Sequence, residues 1–246
     1  MYHKTADEIM ALDPDLAIIP VGSLEQHGPH LPVMTDWAIA AELGKRVAGE
    51  LGAFLVPAMP ISTCRENMGK KGTGWMEPLT YYQMMTDIIM SLKLQGFKKV
   101  AILQMHGGVF INTPLVRDLN ARYNPDLMVA LIDGCSFFRT LYQDGIIETN
   151  TELHAGEVET SQILAIAPET VHMDRAVDFV PDTPRSYLNY GSMFRACPDG
   201  VWGEPTKATA EKGEAIFTHC TKQAVEQINH IFTYIESKEK FNYSYF

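Results

Sequence analysis

Short apolar runs alternate with helix-forming segments through the first half of the chain. The runs that predict buried strands are 16–21, 53–57, 99–104 and 127–133. The segments that predict helices are 5–13, 37–51, 80–95 and 112–123. Strands separated by helices are typical of α/β proteins, so we expect a mostly parallel sheet with helices on both faces.

The hydrophobic pattern is looser after residue 134. Residues 154–166, which open with HAGEVETS, predict a helix, and residues 208–235 predict a long one. Between them, residues 167–207 are rich in Pro, Asp and aromatic side chains, which favours a loop or lid over a site. The aromatic tail 241–246 is expected at a subunit interface or in the core. Because no linker or internal repeat interrupts the chain, residues 1–246 are expected to form a single domain.

The composition excludes several classes of function. The net charge of −10 argues against binding to nucleic acids or to an anionic membrane surface. The N-terminus has no basic-then-apolar signal pattern and no apolar run approaches about 18 residues, so a cytoplasmic protein is expected. Four widely spaced cysteines are expected to be free thiols: Cys64, Cys135, Cys197 and Cys220.

Residues 20–36, PVGSLEQHGPHLPVMTD, follow the first predicted strand and carry the first candidate ligands. Glu25 and His27 are two residues apart, so an extended backbone would direct both side chains to the same side. Asp36 precedes a predicted helix and is interpreted either as a third ligand or as a helix cap. Two carboxylates and an imidazole are a plausible ligand set for a divalent metal ion. The alternative is a polar turn that ends in a helix cap.

His106 directly follows the third predicted strand, and two glycines after it allow the backbone to approach a ligand closely. Ligands of parallel α/β sheets bind beyond the carboxyl ends of the strands, so His106 is expected near Glu25, His27 and Asp36. This set of donors suits Zn²⁺, Mn²⁺ or Fe²⁺. If Asp36 bridges, two metal ions would lie about 3.5–4 Å apart, as in sites for metal-assisted hydrolysis.

The segment HAGEVETS adds further candidates. On a continuous helix, His154, Glu157 and Ser161 share one face, with Glu159 turned away from them. Glu157 is therefore expected to face the site beside His154. The alternative is a helix start in which the helix dipole favours acidic residues without any function.

The sequence resembles the creatininase (creatinine amidohydrolase) family of metal-dependent hydrolases. The matching segments are PVGSLEQHGPHLPVMTD, QMHGGVFIN, HAGEVETS and GVWGEP. The resemblance implies a three-layer α/β/α sandwich and a site with two divalent metal ions, Zn²⁺ or Mn²⁺. It further implies hydrolysis of a cyclic amide or another C–N bond of a small molecule, in a homohexamer built from dimers.

The resemblance also assigns roles by position. It implies that Glu25 and His106 are ligands of one metal ion and that His27 is a ligand of the other. Asp36 is implied as the bridging ligand. His154 is implied as a proton donor on the substrate side of the site.

The chain departs from the family pattern after the metal-binding His. Creatinine-hydrolysing members carry a Tyr and then a metal-binding Glu where this chain has Gly107 and Gly108. A ligand is therefore missing, and Glu157 is expected to replace it, with Glu159 as the other candidate. Ser62, after the second predicted strand, resembles a residue that contacts substrate.

The segment after Ser62 differs from the family as well. Asn67 stands where a His is common, and Arg65, Lys70 and Lys71 add positive charge near the expected pocket mouth. If these basic residues face the site they favour an anionic or phosphorylated substrate; the alternative is a solvated surface run. Creatinine itself is therefore not the expected substrate.

The expected reaction is attack of a metal-activated hydroxide on a carbonyl carbon. Glu157 or Glu159 would take a proton from water, and His154 would deliver one to the leaving nitrogen. A formamide hydrolase and a hydrolase that cleaves a C–C bond of a cyclic ketone are alternatives with the same metal chemistry. An alternative of another class is a non-catalytic metal- or ligand-binding protein with this fold. His30 is expected to have a supporting or structural role.

Overall fold

The computed structural model describes residues 3–237, so the predicted role of the tail 241–246 lies outside the described residues. The strands of the central sheet are β1 (Leu16–Val21), β2 (Phe54–Leu55), β3 (Lys99–Gln104) and β4 (Met128–Asp133). The α-helices in the described range are α1 (Ala6–Leu12), α2 (Thr35–Leu51), α3 (Pro78–Leu94), α4 (Asn112–Tyr123), α5 (Phe138–Gln143), α6 (Glu157–Ile166) and α7 (Ala210–Ser237).

All four strands are parallel, in the order β2-β1-β3-β4. β1 and β3 pair along their full length and end together at Val21 and Gln104. The chain goes from β1 outward to β2 and then returns to place β3 on the other side of β1. The loops after β1 and β3 therefore leave the sheet side by side at the switch point, where doubly wound folds bind their ligands.

Alternate strand residues build cores on the two faces of the sheet. Ile18 belongs to the core that contains Phe217 of α7, together with residues of α2 and α6. Ile19 belongs to the opposite core, with Met85 of α3 and Leu115 of α4. This arrangement confirms the predicted α/β fold with helices on both faces of a parallel sheet. Because both cores share that sheet, we propose that the chain forms a single domain.

The second half of the chain contains the largest differences from the predicted elements. Helix α6 begins at Glu157, three residues later than expected, and α5 was not predicted. Residues 168–207 contain short 3₁₀ turns, among them Arg185–Tyr190, and isolated β-bridges, in agreement with the predicted loop. The four cysteines are free, as expected. Within the described range, no helix is long and apolar enough to cross a membrane.

Candidate metal centre

The loop after β1 lies directly against the start of α2. A Cβ atom on Gly22 would lie 2.5 Å from the backbone oxygen of Asp36 and from the backbone nitrogen of Trp37. Only glycine permits this approach, which brings the loop residues to the first turn of the helix. Asp36 lies inside that turn, and the N-cap residue Met34 has no side-chain cap hydrogen bond. The side chain of Asp36 is therefore directed into the site and is not a helix cap.

Asp36 occupies the centre of the site. Its Oδ1 lies 3.0 Å from His27 Nε2, and its Oδ2 lies 3.0 Å from His106 Nδ1. Ser23 Oγ donates a 2.9 Å hydrogen bond to Oδ2 and fixes the orientation of the carboxylate. The two oxygens therefore face two different imidazoles, which is the arrangement that a bridging carboxylate requires.

Glu25, Asp36 and His106 form the first group of potential ligands. Glu25 is fully buried, and in the described part of the chain neither of its carboxylate oxygens has a hydrogen-bond partner. Burial of such a carboxylate is costly unless a cation or hydrogen-bond donors compensate for the lost water. His106 Nδ1 lies 3.3 Å from Glu25 Oε1, so a divalent cation placed among these atoms would satisfy the carboxylate. The residues thus fit a metal ion.

His27, Asp36 and Glu159 form the second group. His27 Nε2 lies 3.6 Å from Glu159 Oε2, in addition to its short contact with Asp36. Because Asp36 belongs to both groups, the geometry suits two ions that share one carboxylate.

Backbone carbonyls orient the three imidazoles of the site. His27 Nδ1 lies 3.2 Å from the carbonyl oxygen of Glu25. His106 Nε2 lies 3.2 Å from the carbonyl oxygen of Thr63. His154 Nε2 lies 2.8 Å from the carbonyl oxygen of Gln26. When each of these nitrogens donates its proton to the carbonyl, the other ring nitrogen keeps a lone pair directed at the carboxylates. This is the orientation that histidine ligands adopt around metals.

The segment GVWGEP positions His154. The backbone of His154 pairs with that of Trp202 in a short antiparallel bridge, with N–H groups donating in both directions. Gly200 has φ +76°, and a Cβ atom there would collide with the side chain of Gln26. His154 Nδ1 lies 3.6 Å from Glu25 Oε1, so the segment holds this imidazole at the edge of the first ligand group.

Burial and the attraction between opposite charges act in opposite directions on the pKa values of Glu25, Glu159 and His27. Burial raises the pKa of Glu25 to about 8 and that of Glu159 to about 7, although neighbouring histidines oppose both shifts. Burial also disfavours a charge on His27, but Asp36 and Glu159 outweigh it and raise the pKa to about 10. Burial and the nearby His27 hold the pKa of His154 well below its usual range, so this imidazole is neutral.

A cavity of about 750 Å³ opens above these residues. His106, His154 and Glu159 lie at its floor, while residues 65–68 and residues within 185–193 line its walls. A substrate therefore has access to both ligand groups. The predicted loop 167–207 contributes one of the walls.

Two glycines after His106 make room for side chains from other segments. A Cβ atom on Gly108 would collide with the carboxylate of Glu66, whose Oε1 lies 3.2 Å from His106 Nε2. Glu66 was missed from the sequence, although it lies in the loop after β2, whose carboxyl end is at the same edge as those of β1 and β3. The rule that identified His106 applies equally to that loop.

Comparison with known proteins identifies the family. The family model described as creatininase (creatinine amidohydrolase) matches residues 3–228. The chain belongs to the creatininase family. It is 28% identical over 232 residues to creatinine amidohydrolase from Pseudomonas putida, covering 87% of this chain and 89% of that protein.

Other creatininase-family relatives have different names. A 3-dehydro-scyllo-inosose hydrolase from Thermotoga maritima is 29% identical over 227 residues, covering 81% of this chain and 72% of that protein. A mycofactocin precursor peptide peptidase from Mycobacterium ulcerans is 28% identical over 239 residues, covering 92% and 88%. All three relatives are hydrolases, which makes this chain a hydrolase, but they do not share one substrate.

Solved creatininase structures have the same fold. A manganese form has a TM-score of 0.79 and 26% sequence identity, covering 94% of this chain and 97% of that one. A Zn–Zn form of a mutant creatininase has a TM-score of 0.77 and 26% identity, covering 94% and 96%. The predicted family, the α/β/α sandwich and a site for divalent metal ions are thereby confirmed.

The structure does not bring Glu157, the expected replacement for the missing ligand, together with the other potential ligands among the described residues. The Glu157 carboxylate accepts hydrogen bonds from the backbone N–H groups of Glu148 and Thr149 and from Lys212 Nζ, at 2.6 to 3.1 Å. Four donor contacts fill its acceptor positions. Glu157 therefore joins the loop before α6 to α7 and lies outside both ligand groups.

The physical reason is the backbone between His154 and α6. Ala155 has φ +52°, an uncommon conformation for a residue with a side chain, so His154 does not continue the helix. At the third helical position, Glu159 turns back and accepts a hydrogen bond from the Ala155 N–H. The prediction that placed His154 and Glu157 on one helical face assumed a continuous helix, whereas α6 begins only at Glu157.

Other predicted site residues take supporting positions. Ser62 is buried and donates a 2.7 Å hydrogen bond to the Gly22 carbonyl, so it braces the loop and does not line the cavity. His30 Nε2 lies 2.9 Å from Thr160 Oγ1 and connects the same loop to α6, which fits the structural role expected for it. Lys70 Nζ donates to the Asp199 carbonyl and does not line the cavity.

Proposed function

We propose that this creatininase-family hydrolase cleaves an amide-type C–N bond of a small molecule at a centre of two divalent metal ions. The observation that carries the proposal is Asp36, whose two carboxylate oxygens face His27 and His106, and His106 lines the cavity. The unpartnered buried carboxylate of Glu25 supports it, because that group needs a cation nearby. The similarity to manganese and zinc forms of creatininase supports Mn²⁺ or Zn²⁺ as the ions.

The ligand groups divide the ions between them. Glu25 and His106 would hold one ion, His27 and Glu159 the other, and Asp36 both. Bound ions would polarise a carbonyl group and lower the pKa of water toward about 7. Glu159 thus supplies the carboxylate that the chain lacks at Gly108.

His154 is the residue best placed to move a proton. It lines the cavity, and its Nε2 is held by the Gln26 carbonyl at 2.8 Å. Because His154 is neutral, its Nδ1 is able to take a proton from the attacking water and pass it to the leaving nitrogen. Glu66 orients His106 from the other side of the ring and belongs to the supporting structure.

A second candidate is the hydrolysis of a C–C bond in a cyclic ketone. The similarity to the 3-dehydro-scyllo-inosose hydrolase of Thermotoga maritima favours it. The same polarised carbonyl and activated water serve this reaction, so the metal site alone does not separate the two.

Turnover measurements separate these candidates. The protein loaded with Mn²⁺ or Zn²⁺ is assayed against lactams, formamides, peptides and cyclic ketones, with chelator-treated protein as the control. Hydrolysis of a C–N substrate that disappears on chelation is the expected result. Activity confined to the ketones favours the second candidate, and activity that persists without metal contradicts the proposed chemistry.

We further propose that the protein is a cytoplasmic homo-oligomer, a hexamer of paired dimers. The support is the resemblance of its motifs to the creatininase family. Light scattering coupled to size-exclusion chromatography tests the assembly, and a monomer at micromolar concentration contradicts it.

A further inference from the structure

Arg185 reaches the backbone that follows the ligand His106. A Cβ atom on Gly107 would lie 3.1 Å from Arg185 Nη2 and 3.5 Å from Cys135 Sγ. The guanidinium therefore packs over the bare backbone of residue 107, at the wall of the cavity. A larger residue at position 107 would displace it.

The guanidinium of Arg185 has no carboxylate partner among the described residues. Four other arginines of the described range do form ion pairs with Asp or Glu: Arg46, Arg65, Arg122 and Arg175. Arg65 is the other arginine that lines the cavity, and Glu77 neutralises it. Arg185 thus brings an uncompensated positive charge to the cavity.

The remaining charged groups of the cavity are not partners for Arg185. Glu159 is placed beside His27, and Glu66 beside His106, each within 3.6 Å of its imidazole. Ser186 and Asn189 add neutral hydrogen-bonding groups on the same wall as Arg185. The cavity therefore has a metal-binding floor and one wall that combines a free guanidinium with polar side chains.

We propose that Arg185 binds an anionic group of the substrate, a carboxylate or a phosphate, and so selects substrates with an oxyanion next to the bond that is cleaved. A guanidinium recognises both groups through paired N–H donors. The sequence offered Arg65, Lys70 and Lys71 for this task, with a solvated surface run as the alternative. In the structure Arg65 is paired with Glu77, and Lys70 does not line the cavity. The proposal rests on the proposed function for the reaction, but the anion site is measurable without turnover.

The test uses three matched probes with the metal-loaded protein. They are N-formyl-β-alanine, its neutral carboxamide, and N-formyl-2-aminoethylphosphonate. Equilibrium binding is measured by calorimetry, or as KM for a probe that is hydrolysed, and formate release is followed in parallel. The carboxylate and phosphonate probes separate the two possible sources of the oxyanion.

The wild-type protein is expected to bind one or both anionic probes about tenfold or more tightly than the carboxamide, as charge-assisted hydrogen bonds do. Arg185→Gln should abolish this preference while it leaves the affinity for the carboxamide and the metal content unchanged. Arg195→Gln is the matched control, because Arg195 is an exposed arginine that contacts the Tyr190 carbonyl, at the end of the turn that begins with Arg185, and does not line this cavity. It should behave as the wild type.

Two results overturn the proposal: a wild-type protein that binds neither anionic probe better than the carboxamide, and a preference that survives in Arg185→Gln. Formate release bears on the reaction alone. Anion binding that depends on Arg185 without any release supports the anion site and counts against formamide hydrolysis. Release without such a preference supports the reaction and overturns the role of Arg185.

Discussion

The carboxylate of Glu66 occupies the space that any side chain at residue 108 would need. Gly108 is therefore not merely the loss of a ligand, because it lets a carboxylate from the loop after β2 reach His106. Under the proposed function, Glu159 supplies the carboxylate ligand that is absent at position 108. Glycine at position 108 thus coincides with two carboxylates from distant segments that lie beside the histidines, Glu66 beside His106 and Glu159 beside His27.

Replacing Gly108 with Ala should weaken metal binding. The new Cβ atom would displace Glu66 and press on His106 Nε2, which lies 2.5 Å from the Cβ position. Loss of a carboxylate that orients a histidine ligand lowers metal affinity by about 10–100-fold. Competition with a chromogenic chelator measures the affinity, and Glu66→Gln should have a similar effect. Gly49→Ala is the control, since nothing lies within 4 Å of its Cβ position, and equal affinities in all variants would contradict the role of Glu66.

Replacing Asp36 with Asn should remove both metal ions. One carboxylate oxygen faces each imidazole, and an amide offers a weaker oxygen to one ion and an N–H₂ group to the other. Elemental analysis of the purified variant should show loss of both ions together with loss of activity. A variant that retains two ions per chain would show that Asp36 does not bridge.

Glu157 and Glu159 of α6 should have different roles, the first structural and the second metal-binding. Glu157→Gln should lower the free energy of unfolding by about 1–3 kcal/mol, because a buried charge-assisted network is lost, while metal content remains. Glu159→Gln should lose the second ion. Urea denaturation and metal analysis of both variants measure the two effects. Loss of an ion from Glu157→Gln but not from Glu159→Gln would identify Glu157 as the ligand instead.

The metal-free protein should become less stable as the pH rises from 7 to 10. The folded-state pKa of His27 is raised from 6.5 to about 10, so its contribution is fully present below 6.5 and is lost through about 10. The folded-state pKa of Glu25 is raised from 4.5 to about 8, so the folded state binds this proton more tightly than the unfolded state does. Its contribution to stability therefore also falls as the pH rises from 7 to about 8. Thermal unfolding of chelator-treated protein should show a falling Tm, whereas the loaded protein, with its ligands deprotonated, should change less. A Tm that rises from pH 7 to 10 without metal would contradict these shifts.

The sequence by itself determined the sheet and most of the metal centre. Apolar runs locate buried strands, and parallel strands place the loops after β1 and β3 at one edge, so Glu25, His27 and His106 meet. For Asp36 the sequence left a ligand and a helix cap as alternatives, and the structure places its carboxylate between His27 and His106.

Only the tertiary structure decided which groups complete the site. The placement of Glu159 rather than Glu157 beside His27 depends on the backbone of Ala155, whose positive φ no local pattern of apolar residues encodes. The placement of Glu66 and Arg185 depends on the empty space at two glycines and on loops far away in the chain. Hydrophobic periodicity predicts helices and strands because each of them buries one face along its own length. The direction of a side chain in a loop depends on contacts that form only after the segments have packed.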